Sequence, residues 1–254
     1  MFDAVILAGG GKTEPLTEQE GVFNKAFIEI HGRPMISYVI NGLSGSPSIG
    51  KIVAVGPEKE LRELLTAGYE FTPVPEEGSL LDNVAAGLRG LEGDRLCLVL
   101  TGDIPLIERV AIEGLLALCA PFDGDFYYPI LKRERCQERF PQMKRTYVRL
   151  REGYFTGGNV ALLRPDWFTR CRPRLDLFVT YRKKPLKLFR ILPVSFIYKF
   201  LLNRLTVTDL EDYLAGMMQA SVHAVPCSFV EIGTDVDKSS DLEIVRHVLK
   251  QKEK

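Results

Sequence analysis

The sequence predicts an α/β fold, a doubly wound and mostly parallel sheet with helices on both of its faces. Three observations point that way. The chain opens with a short, apolar, branched run, Ala4–Ala8, that stops at Gly9-Gly10-Gly11. Strand-like runs then alternate with runs of helical spacing as far as Cys119. Within that alternation Arg95–Thr101 is almost continuously apolar, as suits a central parallel strand covered on both sides.

After the opening strand, Pro34–Leu43 reads as a helix with proline in its first turn. Lys51–Gly56 is a strand, Glu58–Ala67 a helix and Tyr69–Val74 a strand. Ser79–Leu91 places apolar residues at helical spacing behind a serine cap. The strand Arg95–Thr101 and the helix Ile107–Cys119 complete a Rossmann-like βαβ rhythm, which holds ligands at the carboxyl ends of its strands.

The second half breaks that rhythm and makes the expected sheet mixed. Phe126–Leu131 and Thr146–Leu150 alternate like strands around a charged, mobile-looking segment, Lys132–Lys144. Gly157-Gly158-Asn159 punctuates a further strand, Val160–Leu163. From Asp166 to Ala220 the pattern is helical, with Pro173, Pro185 and Pro193 expected to divide it into short helices. Ser221–Cys227 returns to strand, and the helix Ser240–Leu249 opens with a capping box, Ser240-Asp241-Leu242-Glu243. There is no repeat, low-complexity tract or clear linker. One domain over 1–254, with a C-terminal-half helical insert at about 166–220, is the expected organisation.

Composition narrows the function by exclusion. The 33 Lys and Arg balance the 33 Asp and Glu, so no global field draws the chain to nucleic acid or membrane. Cys97, Cys119, Cys136, Cys171 and Cys227 are scattered, odd in number and without a C-x-x-C pair. With no leader-like opening, they favour a reducing cytoplasm over a disulfide framework or a zinc site, and Cys97 reads as plain core. No apolar run approaches the length of a membrane span. His31, His223 and His247 are isolated, and none reads as a ligand.

The glycine triplet is the first chemical signal. Glycine tolerates positive φ and close approach of a ligand, and successive backbone N–H groups form a concave anion site. The dinucleotide fingerprint fails here, because Glu14 occupies its third glycine position. Gly11-Lys12-Thr13 copies the end of an ATPase P-loop, but Ile6 stands where the first glycine is required. Pro15 also interrupts the helix start that such a loop needs.

A third pattern fits better. Leu7-Ala8-Gly9-Gly10, then Lys25, then Gly32-Arg33-Pro34-Met35-Ile36 resembles the opening of the nucleotidyltransferases that make nucleotide-activated sugars and related metabolites. Thr101-Gly102-Asp103-Ile104-Pro105-Leu106-Ile107 resembles their G-D-x-P-L-[IV] phrase. Gly233-Thr234-Asp235-Val236-Asp237-Lys238-Ser239-Ser240-Asp241-Leu242 is similar to their D-[IV]-D-T-P-E-D-L. The three ordered motifs extend over nearly the whole chain. They mark it as similar to the nucleotidyltransferase superfamily, of the MobA-like or sugar-phosphate type.

The resemblance implies transfer of a nucleotidyl group from an NTP to a phosphorylated acceptor, with release of pyrophosphate. A phosphate monoester is already largely dianionic, so the site must supply charge neutralisation and alignment rather than a base. Asp103 and Asp235 are then the expected Mg²⁺ ligands, with Asp237, which shares a face with Asp235 in an extended segment, as the other choice. The backbone of Leu7, Ala8, Gly9, Gly10, Gly11 and Gly102, with Lys12, is expected around the nucleotide phosphates. Lys25 is expected, with Asp103, to serve catalysis by meeting the α-phosphate and the incoming phosphate. Gly78, Ser79 and Asn83 match the segment that recognises base and ribose, and Gly157, Gly158 and Asn159 the place that contacts the acceptor.

The chain departs from this family's pattern where Glu14 replaces an arginine, Lys12 a glycine and Asn24 a proline. A sugar 1-phosphate is the first acceptor implied. Molybdenum-cofactor guanylyltransferase-like and cytidylyltransferase-like chemistry, or a nucleotide-binding protein without turnover, stand as alternatives. The stretch Tyr181–Leu205 interleaves Arg182, Lys183, Lys184, Lys187 and Arg190 with Leu186, Leu188, Phe189 and Phe196. It reads as a lipid-phosphate contact or, favoured by Pro185 and Pro193, as helical packing on the sheet or against a second subunit of a homodimer.

Overall fold

The structure, a computed structural model, describes residues 1–10, 14–181 and 194–252. Gly11, Lys12, Pro185 and Pro193 lie outside the described residues, as do Arg182, Lys183, Lys184, Lys187 and Arg190 of the basic stretch. The first half runs β1 (Phe2–Leu7), α1 (Pro15–Gln19), a 3₁₀ turn (Lys25–Phe27), the hairpin β2 (Glu29–Ile30) and β3 (Arg33–Pro34), α2 (Met35–Ser44), β4 (Ile49–Gly56), α3 (Glu58–Thr66), β5 (Thr72–Pro75), α4 (Leu80–Arg89), β6 (Cys97–Thr101) and α5 (Arg109–Leu118). The second half adds β7 (Phe126–Lys132), α6 (Arg133–Arg139), β8 (Val148–Leu150), β9 (Gly153–Gly157), β10 (Val160–Leu163), α7 (Pro165–Tyr181), α8 (Val194–Leu201), α9 (Val207–Met218), β11 (Val222–Cys227) and α10 (Ser239–Lys252).

Nine strands form one sheet in the order β5-β4-β1-β6-β10-β7-β9-β8, with β11 paired to β7. Only β9 and β10, among the described residues, run against the other strands of this mostly parallel mixed sheet. Alternation along β1 explains the two helical layers. Ala4 and Ile6 face a core shared with Met35 and Ile40 of α2 and Leu115 of α5. Val5 faces the opposite core, with Val84 of α4 and Trp167 of α7. A strand buried on both faces needs apolar residues at every position, and Ala4, Val5 and Ile6 are all fully buried. Cys97 is buried beside Val99 in the same core, as expected.

Several local readings are corrected. Helix α2 begins at Met35, with Pro34 still extended, because Pro34 closes the β2–β3 hairpin opposite Glu29. Pro15 does not spoil a helix; it occupies the first turn of α1, where its missing N–H has no partner to lose. The supposedly mobile segment Lys132–Lys144 contains α6, held by buried Cys136, and the turn that follows it is held by buried Phe140 and Met143. Pro173 does not divide α7: it is exposed, while Trp167, Phe168 and Cys171 hold the helix on the sheet. Helix α10 starts at Ser239, so Ser240 lies inside it; the carboxylate of Asp241, in the first turn, reaches back to accept from the N–H groups of Asp237 and Lys238.

The strand β9 escapes the sequence reading altogether. It continues into β10 through Gly158 and Asn159, where the chain changes neighbours from β8 and β7 to β7 and β6. Gly158 N–H donates to Pro129 O and Asn159 N–H to Ile232 O, so the bulge remains hydrogen-bonded. Within 166–220, the described helices are α7, α8 and α9. No helix among the described residues is long and apolar enough to cross a membrane.

Helix α4 lies so close to the sheet that a Cβ on Gly87 would collide with Val5 Cγ1 and stand 3.0 Å from Val55 Cγ2. Gly87→Ala gains about 1 kcal/mol of helix propensity but overpacks two β-branched side chains at about 1–3 kcal/mol. A net loss of stability is expected, read as a lower urea midpoint with an unchanged slope.

Candidate active site

The site begins where β1 ends. Ala8 N–H donates to Val55 O at 2.7 Å and Gly102 N–H to Leu7 O at 2.9 Å, the last rungs before the three strands separate. Asn24 then ties the following loop back to β1: its amide donates to Ala8 O at 2.7 Å, while its carbonyl oxygen accepts from Ala26 N–H at 2.9 Å. A Cβ on Gly102 would lie 3.1 Å from that of Ala26, so the absent side chain lets the turn carrying Lys25 sit against β6. Leu7, Ala8 and Gly102 are thus brought together, as framework for the neighbouring charged groups.

Those charged groups come from three segments. Lys25 Nζ lies 3.2 Å from Asp103 Oδ2, at the end of β6, and 2.5 Å from Asp237 Oδ1, ahead of α10. Val236 N–H donates to Asp103 O at 3.0 Å, so backbone as well as side chains join the two acidic segments. Burial works against the Lys25 ammonium, but Asp103 and Asp237 overcome it and hold its pKa above the ordinary lysine value. Burial likewise works against Asp237, yet Lys25 outweighs it and keeps that carboxyl below its ordinary range. Asp235 has no such partner. Burial, reinforced by Asp103 and Asp237, pushes its pKa up to about 6, against the weaker pull of Arg145.

Asp103 Oδ1 is buried and without a hydrogen-bond partner among the described residues, an unspent hard oxygen beside Asp235. Among the described residues no group of three or more His, Cys, Asp or Glu side chains has the spacing of a protein-only metal cage. A two-carboxylate site of the kind Mg²⁺ shares with substrate phosphates makes no such demand, and the oxygen donors fit it.

The glycine loop lies on the neighbouring edge. Gly10 adopts φ +81°, a left-handed conformation that favours glycine. Its N–H already donates to Glu76 Oε2 at 2.5 Å. A Cβ on Gly9 would meet Asn83 Nδ2 at 2.7 Å and Glu76 Cβ at 2.9 Å, so the loop is backed by the first turn of α4 and the segment before it. Asn83 is buried and its carbonyl oxygen accepts from Glu77 N–H at 2.6 Å. Ser79 caps α4 and exchanges hydrogen bonds with Asp82, and a Cβ on Gly78 would lie 2.9 Å from the Asp82 carboxylate. These residues therefore have structural work of their own beside the glycine loop. Glu14 is the N-cap of α1, its N–H donating to Thr17 Oγ1 at 3.0 Å.

Across the acidic cluster an open cleft of about 420 Å³ runs to the β9–β10 bulge, lined by Gly157, Gly158, Asn159, Asp235 and Asp237. The same lining includes groups to which the sequence reading assigned no role: Tyr128, Lys144, Arg145, Thr156 and Lys238. Tyr128 OH donates to Gly158 O at 2.9 Å, and a Cβ on Gly157 would strike the same ring. The only sequence signal for these groups is a basic pair, Lys144-Arg145, directly before a strand.

An edge of this kind, at the carboxyl ends of parallel strands and rich in paired charges, is where α/β proteins hold phosphate-bearing ligands. Comparison of whole sequences agrees: the MobA-like NTP transferase domain matches residues 4–200, and the chain belongs to that family. The bifunctional protein GlmU of Paramagnetospirillum magneticum is 32% identical over 121 residues, 44% of this chain and 24% of that protein. An 8-amino-3,8-dideoxy-manno-octulosonate cytidylyltransferase of Shewanella frigidimarina is 28% identical over 119 residues, 45% of this chain and 49% of the relative. The chain therefore spans less than half the length of these curated relatives. A hypothetical transferase from Thermus thermophilus superposes with a TM-score of 0.83 at 36% identity, covering 95% of this chain and 99% of that one.

The raised pKa of Asp235 has a signed consequence. Its folded value of about 6 exceeds the unfolded 3.8, so ionising it penalises the fold above about pH 6, and the penalty disappears below 3.8. Asp235→Asn is expected to raise the thermal midpoint of the ligand-free protein near pH 8. That advantage should shrink as pH falls through 6; a constant or inverted difference contradicts the assignment.

Proposed function

We propose that the protein transfers a nucleotidyl group from an NTP to a phosphorylated small molecule, a sugar 1-phosphate in the first instance, and releases pyrophosphate. The unpartnered Asp103 Oδ1, beside Asp235 and within a lysine–carboxylate cluster, carries this reading. Family membership and the nucleotidyl-transferring relatives support the class of reaction. We read the chain as one domain over 1–254, with the helices of 166–220 as an insert on it.

Each residue has a task that its surroundings permit. Lys25 stays charged at any physiological pH and meets an approaching phosphate once Asp237 yields it. The Gly10 N–H lies on the neighbouring edge, and a phosphate reaching it must replace the Glu76 carboxylate there. Asp103 and Asp235 would hold Mg²⁺, which when bound supplies charge neutralisation on the phosphates. No general base is required of the protein, because the attacking phosphate is already ionised.

A second reading, nucleotide binding without turnover, draws on Glu76 at the Gly10 N–H and on Glu14 at the position of the family arginine. Pyrophosphate release separates the two. With each NTP, Mg²⁺ and a panel of sugar 1-phosphates, release is expected only when an acceptor is present. Asp103→Asn should lower the rate by about 100-fold or more with the thermal midpoint retained. Full activity in that variant removes Asp103 from the site, and nucleotide binding with no release under any pairing selects the second reading.

A further inference from the structure

The cleft lining contains a cation whose capacity is unspent. The Arg145 side chain is only 10% exposed, and its one charged contact among the described residues is Asp235 Oδ1 at 3.9 Å. That is beyond hydrogen-bond length, so the five N–H donors of the guanidinium have no acceptor within bonding distance there. Arg145 lines the cleft, so its donors are placed to meet acceptors that a ligand brings there.

Its placement is built by the fold. Arg145 follows α6, and Cys136 of that helix with Phe140 and Met143 of the turn after it, all buried, fix the chain that leads to it. Nη1 lies 3.3 Å from where a Cβ on Gly233 would stand, so the glycine leaves room for it. Lys144 and Lys238 are exposed on the same cleft and have no ion-pair partner among the described residues. On the acidic side, Asp237 is already paired with Lys25, and Asp241 is engaged by two backbone N–H groups.

We propose that Arg145, with Lys144 and Lys238 at the rim, is the seat for an oxyanion group of the acceptor, a phosphate or a carboxylate. The planar fork of Arg145 matches the paired oxygens of either group, and the two lysines add charge without directional demand. Arg145 is thereby a specificity-determining residue: neutral acceptors gain nothing from it. The term acceptor rests on the transfer reading above; the anion seat itself does not.

The test uses the full chain and two kinds of readout. Binding of inorganic phosphate and of glucose 1-phosphate is measured by calorimetry, and NTP binding separately by thermal shift. Arg145→Gln is expected to weaken the first two about tenfold or more while leaving NTP affinity unchanged. Arg145→Lys keeps the charge, and with it the fold if Gln does not, but loses the fork; it should fall between the two. Unchanged phosphate binding in either folded variant overturns the proposal, as does an equal loss for NTP, which would place Arg145 on the triphosphate. If the wild type binds phosphate through Arg145 yet releases no pyrophosphate with any acceptor, the anion seat stands and the transfer reading fails. Where transfer is observed, the variants should raise KM for the anionic acceptor with little change in KM for NTP.

Discussion

The arrangement on which the rest of the site depends is the ammonium of Lys25 between two carboxylates, Asp103 and Asp237. Each charge comes from a different part of the fold: the loop after β1, the end of β6, and the stretch before α10. Partly buried charges left unpaired are expensive, so these three segments have to arrive together. Backbone hydrogen bonds reinforce the meeting, with Val236 N–H on Asp103 O and the Asn24 amide on Ala8 O. The cluster still holds one carboxylate too many, and Asp235 bears the consequence. A group that costs the empty protein stability yet lies in a cleft is the usual sign of a site shaped for a ligand rather than for the fold.

Close approach is the second constraint. Around the cleft, glycines stand where one backbone passes against another segment: Gly9 on Asn83, Gly102 on Ala26, Gly158 on Pro129 and Ile232, Gly233 on Leu131. With side chains at these points the strand ends would splay, and the charges they carry would separate. The two constraints are therefore coupled. The missing Cβ atoms set the distances, and the ion pairs use them.

Much of this was legible in the residue order, and the reasons are specific. The β1–glycine junction was readable because a branched apolar run followed by glycines has few other uses. Lys25, Asp103, Asp235 and Asp237 could be singled out because three ordered phrases carry them, and the fold brings them to one place. Arg145 could not, since a basic residue in a charged stretch looks the same whether it faces solvent or a cleft. Strand β9 was hidden by its glycines, and α6 by its charges, with Cys136 its single buried residue. The start of α10 was misplaced because Ser240 is a good capping type, whereas the helix already begins at Ser239 and Asp241 in its first turn accepts from the N–H groups ahead of it.

The sequence by itself determined the layers. Alternation along β1, and helical spacing between the strands, dictate a sheet covered on both faces wherever the chain finally turns. It also determined where phosphate chemistry was to be sought, because glycine, lysine and aspartate at the ends of buried strands are local facts. The tertiary structure alone decided which charges pair, since Lys25 and Asp237 are 212 residues apart in the chain and 2.5 Å apart in space. It decided too that Glu76 lies on the Gly10 N–H and that Arg145 turns into the cleft. Burial and Coulomb energy depend on distance and surroundings, and neither is a property of any single stretch of residues.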